Sequence, residues 1–239
     1  MIQLTPGLKR TALALTFAVS AGVFAITPAA AQSSQMEEKL MAIKNAQAAN
    51  KQKLAQYTWT ETEAISVKGD VKDTKTYQVQ MVNGKAQKTL VNDQKASSGG
   101  GRQGRVKERV VDKKKAEYQE YGQSIGALAK QYTTPNPEAL MAAKQAGNIS
   151  LVPGAGTVSL VIKNYVKPGD SVTMTINEAT HSPASVQVNS YLDDPKDAVT
   201  ISAQFAQLPD GTNHVATTTT NGVSKELTVN DQNSNYQKH

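Results

Sequence analysis

The chain has no cysteine. That absence excludes thiol catalysis, haem attachment through cysteine, cysteine-type zinc sites and any disulfide framework. A chain of 239 residues can build a core without disulfides. Aromatics are also few: three Phe, one Trp and eight Tyr. Phe17 and Phe24 fall within the first 31 residues. The rest of the chain keeps Phe205, Trp59 and the tyrosines, so its core must come from Val, Leu, Ile, Met and Ala. Three histidines, His181, His214 and His239, show no metal spacing. Neither G-x-S-x-G nor H-E-x-x-H occurs. The glycines of "PGAGTV" precede a strand pattern rather than a helix, so they do not make a dinucleotide loop. No cofactor and no metal are expected, and an enzyme is not the expected class.

Only one long apolar run is present. Lys9 and Arg10 precede Thr11 to Ile26, and Pro28 leads into Ala29-Ala30-Ala31. A charged start, an apolar stretch too short for a comfortable membrane span and a small-x-small site define a cleaved signal peptide over 1–31. Residues 32–239 are then one exported domain, periplasmic or secreted in a bacterium. No cysteine follows the cleavage site, so no lipid can be attached there.

Beyond the signal, residues 33–56 read as a helix with Met36, Leu40, Ile43 and Ala46 at helical spacing. From Tyr57 the pattern alternates, with Tyr77, Val79 and Met81 on one face. Asn83-Gly84 is a strong two-residue hairpin turn. Residues 92–105 are Ser-, Gly- and Lys-rich and read as a flexible basic loop. Helices follow over about 105–147. The first carries Val106, Val110, Tyr118, Tyr121, Ile125, Leu128 and Tyr132 in a stripe. The second starts at Asn136-Pro137 and stops at Gly147. From 149 to 236 short alternating strands separated by turns define a β-meander. Each strand has one apolar face and one Thr/Ser/Asn/Gln face, so the apolar side must be covered by helices or by the sheet's own curvature.

The carboxylates of "YLDDPKDAV" have the chemistry of a turn, with Asp bonding its own backbone and Pro fixing φ. They lack the ligand alternation of a calcium loop. Glu61 and Glu63, two apart near Trp59, read as surface residues. The densest charge is Lys95, Arg102, Arg105, Lys107, Arg109, Lys113, Lys114 and Lys115 against Glu108 and Asp112, in a chain of net charge +6. It reads as a solvated arm with Lys113 and Glu117 paired at i,i+4. The alternative is contact with an anionic membrane surface or an acidic envelope protein through Arg102, Arg105, Lys107, Arg109, Lys113, Lys114 and Lys115. Without interleaved aromatics, nucleic acid is not an expected partner.

In its order of helix, Tyr/Trp-bearing strands, helices and long meander, the chain resembles the outer-membrane lipoprotein carrier (LolA-like) group. The stretch from "VQVNSYLDDPKDAVTISAQFAQLPDGT" to "LTVNDQNSNYQK" also looks like small secreted bacterial proteins without an assigned role. The resemblance implies an unclosed β-barrel with a helical lid over an apolar hollow. The expected fold is therefore α+β: a curved antiparallel sheet, or unclosed barrel, packed against amphipathic helices. The expected function is non-catalytic binding of a lipid or lipoprotein-like ligand by a monomer. Its hollow would be lined by Trp59, Tyr118, Tyr121, Ile125, Met174, Ile176, Val188, Ile201 and Phe205. The alternative is an envelope protein–protein interaction module with a fully packed interior. Trp59 is expected at the junction of sheet and N-terminal helix.

N-terminal sequencing of the exported protein should begin at Gln32, and an intact Met1 in the membrane fraction would contradict cleavage there.

Overall fold

The computed structural model describes residues 30–95, 105–133 and 136–239. Residues 1–29, within the expected signal peptide, residues 96–104, within the expected basic loop, and residues 134–135 lie outside the described residues. Helix α1 (Ala30–Leu54) leads into strands β1 (Tyr57–Val67), β2 (Asp70–Val82) and β3 (Lys85–Lys95). Helices α2 (Arg105–Thr133) and α3 (Pro137–Gln145) follow. Seven strands complete the chain: β4 (Ile149–Gly154), β5 (Thr157–Lys163), β6 (Ser171–Asn177), β7 (Ser182–Tyr191), β8 (Ala198–Gln207), β9 (Asn213–Gly222) and β10 (Leu227–Lys238).

Local chemistry sets most of these boundaries. Asn83 and Gly84 both have positive φ, 52° and 72°, as a two-residue hairpin turn of the right hand requires. The Asn136 side chain accepts the Ala139 N–H, Pro137 opens α3, and Gly147 at φ 70° follows its end. β3 continues through Lys95, where composition alone reads as loop. The long β2 offers ladder partners as far as Asp73, and a bulge opposite Thr76/Tyr77 takes up the register slip.

The ten strands form one antiparallel sheet in the order β3-β2-β1-β10-β9-β8-β7-β6-β5-β4. The N-terminal strands thus extend the meander by pairing β1 with β10. β3 and β4 are free edges, so the curved sheet does not close. This is the expected α+β architecture.

The register aligns one inward row through every strand. It runs Leu151, Leu160, Met174, Val186, Ala203, Thr218, Asp231, Glu63, Lys75, Asp93. The first half of the row is apolar and the second half is polar or charged. The neighbouring row contains Ile162, Val172, Val188, Ile201, Thr220, Val229, Ile65 and Asp73.

The helices cover the apolar half. Tyr121, Ile125, Leu128 and Tyr132 of α2 join Ile43 of α1 and Ala143 of α3. All share one cluster with Val158, Leu160, Ile162, Val172, Met174, Ile176, Val186, Val188, Val199 and Ile201, and Phe205 packs against it. Full burial of each such aliphatic side chain contributes about 1.5–3 kcal/mol.

Two tyrosines fix α2, Tyr121 near its middle and Tyr132 in its last turn. Tyr132 Oη donates to Asp170 Oδ2 at 2.6 Å and meets Ser190 Oγ at 2.7 Å. Asp170 is buried and also accepts the N–H groups of Tyr165, Val166 and Lys167, which satisfies a carboxylate otherwise expensive to bury. Tyr121 Oη donates to Asp197 Oδ1 at 2.6 Å. Burial, with that hydrogen bond and charge behind it, pushes the Tyr121 phenol up to about 12. The carboxylates of "DDPKD" therefore turn the chain and anchor a helix: Asp194 Oδ1 accepts the Lys196 N–H, and the Asp197 N–H donates to Asp194 O at 2.7 Å. Glu117 reaches Lys225 in the β9–β10 turn, at 3.5 Å.

α1 is held differently. Ile43 is buried, and Asn50 makes a reciprocal pair with the Asn213 backbone, Nδ2 to O at 2.8 Å and N to Oδ1 at 2.6 Å. Among the described residues no helix is long and apolar enough to cross a membrane.

Gly222 marks a close approach of helix to sheet. A Cβ there would lie 2.4 Å from Ile125 Cδ1 and 2.7 Å from the Tyr121 ring. Gly222→Ala should therefore lose about 1–3 kcal/mol in urea unfolding, as overpacking does. Gly126→Ala, on the open side of the same helix, should be neutral or gain about 0.5–1 kcal/mol. Equal effects of the two would contradict this packing.

Candidate functional site

The inner face of β10, β1, β2 and β3 differs in kind from the rest. Tyr57, Trp59 and Val79 are buried there but lie outside the main apolar cluster. Buried charges adjoin them. Glu61 and Lys75 are only 5% and 8% exposed. Glu61 is ion-paired with Lys88 from β3, and Lys75 pairs with Asp73 at 2.9 Å. Glu61 was expected at the surface, as a charged residue on a strand usually is. The cross-strand lysine accounts for its burial, since a buried carboxylate needs a partner.

Asp231 sits on β10 directly opposite Glu63. The residue as a whole is half-buried, yet its Oδ1 is sealed from solvent and accepts no hydrogen bond. Burial pushes its carboxyl up to about 7, Glu61 and Glu63 reinforce the shift, and Lys88 opposes it. Burial also raises the Glu61 carboxyl against the pull of Lys88. Ion pairs in this setting seldom repay their desolvation, and well-packed apolar residues would stabilise the fold as well or better. Retained buried charge of this kind marks a candidate functional region.

The aromatic part of this wing depends on a bulge. Thr58 pairs with Gln237 and Thr60 with Ser234, leaving two β10 residues opposite Trp59. Asn235 takes φ 54°, which returns Tyr236 to the inward side. Tyr236 stacks on Trp59 at 5.5 Å and lies 4.2 Å from the His214 ring. Trp59 Nε1 donates to Asn233 Oδ1 at 3.1 Å, and Asn233 Nδ2 donates to Val215 O. Burial lowers the His214 pKa and raises that of the Tyr236 phenol. At the wing's rim Tyr57 Oη donates to Asp210 Oδ2 at 2.8 Å. Hydrogen bonds from Thr212 and Tyr57 hold the Asp210 carboxyl down at about 2.

The residues expected to line a hollow divide between the two halves. Tyr121, Ile125, Met174, Ile176, Val188 and Ile201 are buried together in the apolar cluster, with Phe205 partly buried against it. Tyr118 is half-buried on α2. Trp59 is buried, but its ring stacks on β10 rather than joining the cluster that holds Ile43. Of the basic residues, Lys113 and Lys114 are exposed and Lys115 half-buried. The side chains of Arg102, Arg105, Lys107 and Arg109 lie outside the described residues. Sequence reasoning missed Lys75, Lys88, Asp231 and Tyr236. Their only signal was a charged or aromatic residue at an inward position of a paired strand, and register alone assigns that position. Among the described residues no group of His, Asp and Glu could hold a metal ion.

No protein-family model matches the chain, and no curated protein does. Solved structures do show likeness of fold. A domain named for outer membrane lipoprotein sorting, from Vibrio parahaemolyticus, is 10% identical over 85% of this chain and 93% of its own, with a TM-score of 0.44. A LolA superfamily protein from Nitrosomonas europaea is 10% identical over 80% and 93%, at 0.36. A DUF1329 family protein from Desulfovibrio piger is 9% identical over 84% and 92%, at 0.39. With TM-scores this low, none bears on what this chain binds.

Asp231 gives a pH prediction with a definite sign. An acid whose folded pKa is raised favours the folded state when protonated. Its contribution is therefore fully present below the unfolded value near 4 and is lost as pH rises toward 7. Asp231→Asn removes that loss. In urea titrations the variant should match wild type near pH 4. It should then gain on wild type by up to about 1.4 kcal/mol per pH unit until pH 7, and level off above. A stability difference independent of pH would show that Asp231 is not held in this environment.

Proposed function

We propose that the protein is a non-catalytic binder of an apolar or amphiphilic molecule, held between the helices and the inner face of the sheet. One observation carries this reading: a single inward row passes from Leu160, Met174 and Val186 to Asp231, Glu63 and Lys75 without a break in pairing. A wall that is apolar at one end and charged at the other suits a ligand with a tail and a polar head. Pockets for such ligands are mainly apolar with a few placed polar groups. Trp59, Tyr118, Tyr121, Ile125, Met174, Ile176, Val188, Ile201 and Phe205 would line it. The binder would act as a monomer in the periplasm or outside the cell, on a lipid or lipoprotein-like ligand. Arg102, Arg105, Lys107, Arg109, Lys113, Lys114 and Lys115 would contact an anionic surface or acidic envelope protein.

A second reading is favoured by the packing of α2. Its Tyr121, Ile125, Leu128 and Tyr132 fill the apolar half with no other occupant required. The protein would then be an interaction module with a packed interior.

Trp59 separates the two, being the single tryptophan and on the inner face. A brominated fatty acid should quench its fluorescence saturably, while the unbrominated acid should not. Absence of quenching at any concentration below micelle formation would leave the interaction module.

A further inference from the structure

The face of the sheet turned away from the helices has its own pattern, independent of any interior ligand. One outward row crosses Thr173, Gln187, Ser202, Thr219 and Asn230 on five adjacent strands. The row beside it crosses Thr175, Ser185, Gln204, Thr217 and Gln232, and continues into Thr62 and Thr76. A third passes from Lys163 through Ser171, Asn189, Thr200, Asn221 and Thr228 to Ser66. Lys163, at the rim, is the one charged residue in these three rows. In a chain whose residues are 19% charged, a solvent-facing sheet this wide would ordinarily carry Lys and Glu.

The side chains are also partly ordered. Thr219 Oγ1 donates to Asn230 Oδ1 at 3.1 Å, Thr228 Oγ1 to Asn221 Oδ1 at 2.9 Å, and Ser159 Oγ lies 3.1 Å from Thr175 Oγ1. Asn221 Nδ2 donates to Thr200 Oγ1 and Asn189 Nδ2 to Ser171 Oγ, both at 3.4 Å, so each donating hydroxyl keeps its lone pairs and each amide keeps at least one further N–H. The result is a lattice of mixed donors and acceptors. Its spacing is roughly 4.8 Å between strands and about 6.7 Å between alternate residues, on the scale of one sugar ring.

We propose that this outer face binds a neutral polyhydroxylated polymer, an uncharged glycan. The complementarity is one of charge and of hydrogen bonding. Without Lys or Arg clusters the face has nothing to hold a phosphate or carboxylate polymer. Without a large apolar area it lacks the core of a stable protein interface. Sugar hydroxyls, themselves donors and acceptors, match its Thr, Ser, Asn and Gln.

Affinity electrophoresis of the full mature chain tests this. Native gels would contain dextran, a soluble β-glucan or a galactomannan, and the triple variant Asn189→Ala/Gln204→Ala/Asn230→Ala would run beside wild type. All three side chains are exposed, so the variant should keep its circular dichroism spectrum. At least one neutral polymer should retard wild type. The variant's affinity should fall about tenfold, as expected for losing two or three hydrogen bonds. Asp231→Asn, on the opposite face, should behave as wild type. Unretarded wild type in every neutral gel, or equal retardation of the triple variant, would overturn the proposal. So would a concentration-dependent dimer abolished by the triple variant, which would assign the face to a second copy.

Discussion

Strand parity is the constraint on which the rest depends. In an antiparallel sheet a one-residue slip sends every inward side chain outward. Nine successive pairings hold ten strands in line, and where the count would fail, bulges restore it. The bulge at Asn235 is the clearest case, because without it Trp59 would face no aromatic partner on β10. The same parity yields three surfaces from one sheet: an apolar inner half, a charged inner half and an uncharged outer face.

The apolar half recruits the helices. α2 meets the sheet so closely at Gly222 that no Cβ fits, and Tyr121 and Tyr132 hold its C-terminal half against turns in the meander. These contacts are long-range, as with Tyr121 and Asp197, 76 residues apart. Among the described residues the charged half meets no such apolar stripe of helix. Lys88 reaches Glu61 across strands and Lys75 pairs with Asp73 along β2, while Asp73 Oδ1 and Asp231 Oδ1 stay without a hydrogen bond.

The fold was legible wherever the signal was local. Alternation gave Val172, Met174 and Ile176 their inward face, Asn83-Gly84 its turn, and Asn136 its cap. The stripe from Tyr121 to Tyr132 could be read because helical spacing is a period of a few residues. Pairing was not legible. β1 joins β10 across almost the whole chain, and nothing in "YTWTETEAISV" names "LTVNDQNSNYQK" as its neighbour. The candidate site failed for the same reason. Glu61 looks like any surface glutamate until Lys88, 27 residues on, is placed beside it. Asp231 looks like a loop residue until β10 is shown to run straight through it.

The central claim is that the two-toned inner face holds an amphiphile. The most direct measurement is mass spectrometry of the protein purified without detergent, natively and after organic extraction. The account predicts a bound species with a long apolar chain and a polar head, near one per protein and absent from a refolded control. A protein that is empty by both measurements, and stays empty after exposure to total envelope lipid, would contradict it.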